Sequence, residues 1–329
     1  MPETSLALFS RWWQLETWLR QLTYVELRAR DGVAWKDQVR AAAGRLAQDA
    51  QFTHMLGADQ DNPLAYLDFS QLRNMVEGNW RLFEPSLLHR PVWDGRQDEL
   101  ARVRHRIGHV RRPHEDDLGR IEQFLRDLER GTFIALSAYN RRHYPEADQF
   151  HDAVTTGWLQ RKHSAARRLI DHADRQYETR LVLRVSRRPW LEKYPSRSFA
   201  GTAGVLWHAT FFMAGRVLDA RNLWHDSALH QVRPLLVHML TDSPNDVTFT
   251  FAAVDDDKEI ADAIGAAFDA VLMVSHPGTL SERMSKRWVE RAQNANYRLL
   301  HGTGWNIVDE TTVPITSFGA GGGVEAPPA

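Results

Sequence analysis

Apolar residues in the first thirty positions recur at helical intervals. Leu8, Trp12, Leu15, Leu19, Leu22 and Leu27 follow one another at steps of three to five, with Arg11, Glu16, Arg20 and Glu26 on the other side. This pattern predicts an amphipathic helix over residues 6–29. Trp12, Trp13, Trp18 and Tyr24 lie in the same stretch and are expected in the core rather than on a base-stacking surface. A second, alanine-rich helix is expected over 35–50, before the break at Asp61-Asn62-Pro63. A third, over 69–83, carries Leu72, Met75, Val76, Trp80 and Phe83 on one stripe and is closed by Pro85. Residues 90–95, RPVWDG, read as a turn. The helix after it, 97–111, points Leu100, Val103 and Ile107 inward and ends before Pro113. A fifth helix starts at Glu115-Asp116-Asp117, with acids at the positive end of its dipole, and Gly131 ends or bends it.

The pattern changes near residue 145. A polar helix rich in arginine and histidine is expected over 148–177, followed by β-type runs at 181–185, 205–213 and 247–254. Asp255 to Leu272 and Ser281 to Leu300 read as helices, and short strands are expected at 305–308 and 312–316. The acids at Asp255, Asp256 and Asp257 read as a helix N-terminus rather than a metal site. The chain therefore divides into an all-α helical bundle over 1–145, an α+β domain of unknown topology over 146–318, whose role, regulatory, sensor or partner-binding, the pattern leaves open, and a Gly- and Pro-rich tail over 319–329 that is expected to be disordered.

At 329 residues the chain is long enough for two such cores. A net charge of -1 with 25% charged residues is ordinary for a globular protein, so any nucleic-acid surface has to be local. Of the 41 cationic residues only Lys36, Lys162, Lys193, Lys258 and Lys286 are lysines. Guanidinium suits phosphate, but a GC-rich genome gives the same bias, which leaves it uninformative. The absence of cysteine excludes disulfides, thiolate zinc sites and cysteine nucleophiles. Neither a signal peptide nor an apolar run of about 20 residues is evident, so a cytoplasmic location and no membrane are expected. No glycine loop precedes a helix, and no serine sits in a nucleophile elbow.

Chemistry concentrates in residues 96–118, RQDELARVRHRIGHVRRPHEDDL. Arg104 supplies a fixed cation, and His109 a group that titrates near neutrality. The spacing alone says little. Arg-x4-His is expected about twice by chance in this composition and occurs three times, the other copies running from Arg167 to His172 and from Arg233 to His238. The copy RPLLVH reads as buried structure and RRLIDH as a plain helix face. Context singles out Arg104.

FSRWWQLETWLRQLTYVELRAR, LDFSQLRNMVEGNWRLF and DELARVRHRIGHVRRPHEDDLGRIEQFLRDLERG together resemble a HEPN domain. The nearest branch is that of RNA endonucleases in nuclear RNA surveillance and in bacterial toxin and antiphage proteins. The resemblance covers about residues 1–145 and is strongest over 98–131. It implies an all-α bundle that dimerises so that two Arg-polar-x3-His motifs face one cleft and cleave RNA without metal or other cofactor. It places Arg104 at the family arginine, His109 at the family histidine and His105 at the polar position between them. That position is most often asparagine in the family, so the role of His105 is open. An activity of the toxin or defence type also brings a neutralising or regulatory partner into view.

The chemistry is consistent on its own ground. In metal-free cleavage the ribose 2'-hydroxyl attacks phosphorus, which calls for a base, an acid and a cation. His109 would transfer a proton and Arg104 would hold the phosphate, with Arg102, Arg106, Arg111 and Arg112 as an RNA-binding rim. Five residues of continuous helix set Arg104 and His109 about 140° apart, a separation that a cleft between two subunits relaxes. Two other readings stand beside this one. The basic helix end could bind RNA or a protein without cleaving, or His105, His109 and His114, with Asp116 or Asp117, could form the metal centre of a hydrolase.

Overall fold

The computed structural model describes residues 3–52, 61–241, 243–278 and 296–301. The first segment is a single long helix, α1 (Glu3–Asp31). Trp12, Trp18 and Tyr24 are buried as the periodicity requires, but Trp13 is 54% exposed. The expected second helix is a run of 3-10 turns over Gly32–Ala42, kinked at Val39, and only α2 (Ala43–Asp49) is α-helical. The expected third helix divides at Asn79 into α3 (Phe69–Gly78) and α4 (Trp80–Phe83). At the start of α3, Asp68 and Gln71 form a reciprocal capping box.

The largest local correction is at residues 90–95, which open α5 (Arg90–Gly108) instead of forming a turn. Pro91 stands in its first turn, where a missing N–H costs no helical bond, and Arg90 bonds Asp94 one turn on. The next helix, α6, runs over Asp117–Asn140. Gly131 does not end it. It lets Ser86 approach, since a Cβ there would lie 1.6 Å from the Ser86 carbonyl oxygen.

The expected helix over 148–177 is a π turn at Thr155–Leu159 and a separate α7 (Ala166–Tyr177). The three expected strands are present as β1 (Thr179–Arg187), β2 (Val205–Met213) and, beyond the two-residue β3 (Arg216–Val217), as β5 (Asp246–Ala252). Short α8 (Ala220–Trp224) and α9 (Ser227–Val232) lead into β4 (Leu236–Thr241), a strand the sequence pattern conceals. Its apolar residues run on without alternating because both faces are covered. The acids before α10 (Asp257–Val274) do form its N-terminus, with Asp256 capping the N–H groups of Lys258 and Glu259. β6 (His276–Pro277) pairs with β3. The end of the helix expected over 281–300 is instead β7 (Leu299–His301). The rest of that helix, the strands expected at 305–308 and 312–316 and the tail over 319–329 lie outside the described residues.

The result is a helical half joined to an α+β half. The main sheet has the order β1-β2-β5-β4-β7, with its first four strands antiparallel and β7 parallel to β4. The two halves share this sheet. Leu206, Val237, Leu240 and Ala252 belong to the core of α1, α3, α5 and α6, while Trp207, Phe211, Phe249 and Phe251 pack against Phe268 and its neighbours on α10. No helix among the described residues is long and apolar enough to cross a membrane.

Polar bonds at the shared face tie the halves together. Glu26 of α1 accepts from the Arg188 guanidinium and, at 2.6 Å, from Trp190 Nε1, with Glu26 and Arg188 both fully buried. Arg28 meets Asp255 at 3.0 Å, equally out of water. A hydrogen-bonded row crosses the sheet itself. Ser186 bonds His208 Nε2 at 2.7 Å, Thr250 bonds His208 Nδ1 at 3.0 Å, and Tyr139 from α6 bonds both Thr250 and His238 Nδ1. Burial, followed by Arg142, His238, Arg188 and Arg184, holds His208 well below the ordinary histidine value. Burial, with Arg298, Arg188 and Arg28, lowers His238 to about 3.

This row makes folding acid-sensitive. Above pH 6.5, the ordinary histidine value, both imidazoles are largely neutral in the folded and unfolded chains alike. Below it, the unfolded chain binds protons that the folded chain refuses. Stability is expected to fall by about 1.4 kcal/mol per pH unit for each imidazole, continuing towards pH 3 for His238. Urea unfolding followed from pH 7 to pH 5 checks this, and an unchanged midpoint would contradict it.

Candidate functional site

Residues 101–112 carry five arginines, two histidines and no acid, and the structure gathers them at the C-terminal end of α5. That end is a Schellman closure. Val110 N–H bonds the Ile107 carbonyl at 3.1 Å, and Arg111 N–H bonds the Arg106 carbonyl at 2.9 Å. The closure demands a left-handed residue at its turn, where glycine is usual, and the residue there is Val110 at φ 54°. A β-branched side chain in that region is strained by about 1–2 kcal/mol. Since Val110 is 86% exposed, it recovers nothing by packing. Val110→Gly is expected to stabilise the fold by about 1 kcal/mol, read as a higher melting temperature. A lower one would contradict the strain.

His109 is the cap residue of α5. Its N–H still bonds the His105 carbonyl at 3.2 Å, so it keeps its helical position about 140° from Arg104. With His109 at φ -102° and ψ 13°, only the chain after it leaves the helix. Arg104 folds forward, with one guanidinium nitrogen 3.8 Å from where a Cβ on Gly108 would stand. The His105 and His109 rings lie one turn apart with centroids at 4.3 Å. All three side chains are exposed at the end of α5, and His105 feels the charges of both His109 and Arg104. Slight desolvation against the helix, then the positive charge of His109, Arg111 and Arg104, lowers the His105 pKa. It is therefore mostly neutral at pH 7 and able to accept a proton.

Arg106 is placed differently from the rest of the expected rim. Its guanidinium grips the buried Asp117 carboxylate, with Nε to Oδ2 at 2.7 Å and a second bond from Nη2 to Oδ1. Asp117 also accepts from His114 N–H at 3.0 Å. Burial works to raise the Asp117 pKa, but these bonds and the Arg106 charge outweigh it and hold the carboxyl below its usual range. Arg106 therefore pins the end of α5 to the start of α6. Arg102, Arg111 and Arg112 are exposed.

The set proposed for a metal does not assemble. Among the described residues no three His, Asp or Glu side chains converge as metal ligands, and Asp117 is engaged by Arg106. The other two Arg-x4-His copies also separate from this site. Arg233 donates to the Trp224 carbonyl while His238 lies in the buried row, and His172 sits on α7 against Tyr177. The sequence reading did not find the buried row. The alternation Trp207-His208-Ala209 in β2 was its one signal, since it turns His208 away from the face that buries Trp207. No family model, curated protein or solved structure matches this chain.

Proposed function

We propose that this chain is a metal-independent endoribonuclease of HEPN type, acting through Arg104, His105 and His109. One observation carries the proposal, the density of unpaired positive charge at the end of α5. Elsewhere on the bundle Arg11, Arg20, Arg28, Arg30, Arg45, Arg73, Arg90, Arg96 and Arg120 each lie against a carboxylate, while Arg81 and Arg126 stand without one but singly. Arg102, Arg104, Arg111 and Arg112 meet none among the described residues. Uncompensated guanidinium around two imidazoles suits a polyanion, with an affinity that falls as salt rises.

In this reading neutral His105 takes the proton from the 2'-hydroxyl as its oxygen attacks phosphorus. Protonated His109 gives a proton to the departing 5'-oxygen, and Arg104 stabilises the charge that builds on phosphorus. The bond from phosphorus to the 2'-oxygen forms as the bond to the 5'-oxygen breaks, leaving a 2',3'-cyclic phosphate and a 5'-hydroxyl.

The patch is open to water, and a second copy would close it. Leu6, Phe9 and Trp13 form an apolar stripe on α1 with exposures of 58%, 52% and 54%. The Arg11–Glu122 pair sets this stripe at the same end of the bundle as the motif, a surface suited to a homodimer. The test is purified protein and RNA in EDTA, with the ends of the products identified. Cleavage with cyclic phosphate ends supports the proposal, and intact RNA after prolonged incubation with a confirmed dimer contradicts it. The exposure of all three side chains also favours a second reading, RNA binding without cleavage, which the same assay selects if RNA is retained intact. The toxin or defence role is tested by growth on expression, compared with Arg104→Ala and His109→Ala.

A further inference from the structure

A second basic surface lies where the bundle meets the loop after β1. The α3–α4 junction and the segment from Trp190 to Lys193 line a cleft of about 800 Å³, which is within the range of small-molecule sites. Asn79, Trp80 and Arg81 form one wall, and Trp190, Glu192 and Lys193 the other. The tryptophans are half-buried and held in place. Trp190 donates its Nε1–H to Glu26 at 2.6 Å, and Gly204, at φ +86°, keeps its backbone clear of that ring, where a Cβ would come within 2.7 Å. Trp80 is backed by Trp93 and by the Arg90 guanidinium, 4.8 Å from its ring centre.

The cations on the rim contrast with their neighbours. Arg30 is spent on Asp31 and Asn79, whereas Arg81 and Lys193 are exposed and meet no carboxylate among the described residues. Fixed aromatic faces beside two free cations match a flat ring carrying a phosphate, since a base stacks on an aromatic side chain without regard to sequence. Glu192 adds an exposed acceptor for ribose hydroxyls or an exocyclic amine. We propose that this cleft binds a nucleotide, its base against Trp190 and Trp80 and its phosphate between Arg81 and Lys193.

The site is separate from the α5 motif. It adjoins Arg90, at the first residue of α5, while the motif lies at the other end of that helix. A free nucleotide and a nucleotide within a single strand share this chemistry. Both are tested on the full chain by calorimetric titration with the four ribonucleoside 5'-monophosphates and with a 2'-O-methyl oligoribonucleotide, which cannot be cleaved by 2'-hydroxyl attack. The expected result is saturable binding, weakened at least tenfold in Arg81→Glu/Lys193→Glu and unchanged in Arg168→Glu, an exposed cation on α7 outside both sites. Monophosphate binding identifies the free nucleotide, and oligomer binding alone identifies the strand. Because both substitutions are on the surface, an unchanged thermal melt confirms the fold. Absence of binding by every ligand, binding unaffected in the double variant, or binding lost in Arg168→Glu would each overturn the proposal.

Discussion

Replacing His109 by alanine is expected to lower RNA cleavage by about 10²–10⁴-fold, the usual contribution of a positioned proton donor, while the fold stays intact. His109 is exposed, and its backbone N–H bond to His105 survives truncation of the side chain. Stability should therefore change by no more than about 0.5 kcal/mol. Arg104→Ala is expected to cost about 10²–10³-fold, and Arg104→Lys to recover only part of that, because an ammonium cannot present two parallel donors to a phosphate. Single-turnover assays with the melting temperature measured alongside check all three. Unchanged rates in either alanine variant would remove the motif from catalysis. The pH profile adds a second readout. Since His105 titrates below the ordinary histidine value, its base form persists into mildly acidic solution, and the acidic limb of the rate should fall below pH 6.5, the ordinary value. His105→Asn separates its roles. Retained activity assigns it to holding substrate, and loss of the acidic limb together with activity assigns it to proton transfer.

Glu26→Ala is expected to destabilise the protein by about 3–5 kcal/mol, the cost of leaving one member of a buried ion pair alone. Arg188 is fully buried against Glu26, and Trp190 loses its acceptor in the same substitution. The damage is not local, because Glu26 belongs to α1 and Arg188 follows β1, so the pair joins the bundle to the sheet. An exposed pair such as Arg45–Asp68, with side chains 48% and 32% accessible, should contribute about 1 kcal/mol or less. Removing both buried charges together, in Glu26→Leu/Arg188→Met, should cost less than Glu26→Ala, since no lone charge remains. Chemical unfolding of the three variants checks the order. A Glu26→Ala midpoint equal to that of Arg45→Ala would contradict it.

The helices most legible in the sequence were those with one wet face. In α6 the core packs against a single side, so polar and apolar positions separate at the helical period. α1 keeps a wet face only over its first half, since Leu22 to Ala29 are all buried, and the Arg11 and Glu26 that the pattern sets on the polar side lie in the core. Where both faces are covered the signal disappears, as in β4. The start of α5 was misread because Arg-Pro and Asp-Gly are turn signals in isolation, yet Pro91 fits a first helical turn and Arg90 bonds Asp94 there. The candidate site was legible as a local concentration of charge. Which of its arginines are free was not, since Arg106 resembles its neighbours until Asp117 folds against it.

By itself the sequence determined the order of helical and strand-bearing halves and the concentration of arginine and histidine between residues 101 and 112. Both follow from short-range periodicity and composition, which a linear chain displays directly. Tertiary structure alone decided that the two halves share one sheet and that His208 and His238 meet Tyr139 within it. Those outcomes depend on pairing between residues as many as 227 positions apart, as at Arg28 and Asp255. Such pairing is selected by burial and by the cost of leaving a polar group unmatched, quantities that exist only once the chain has closed on itself.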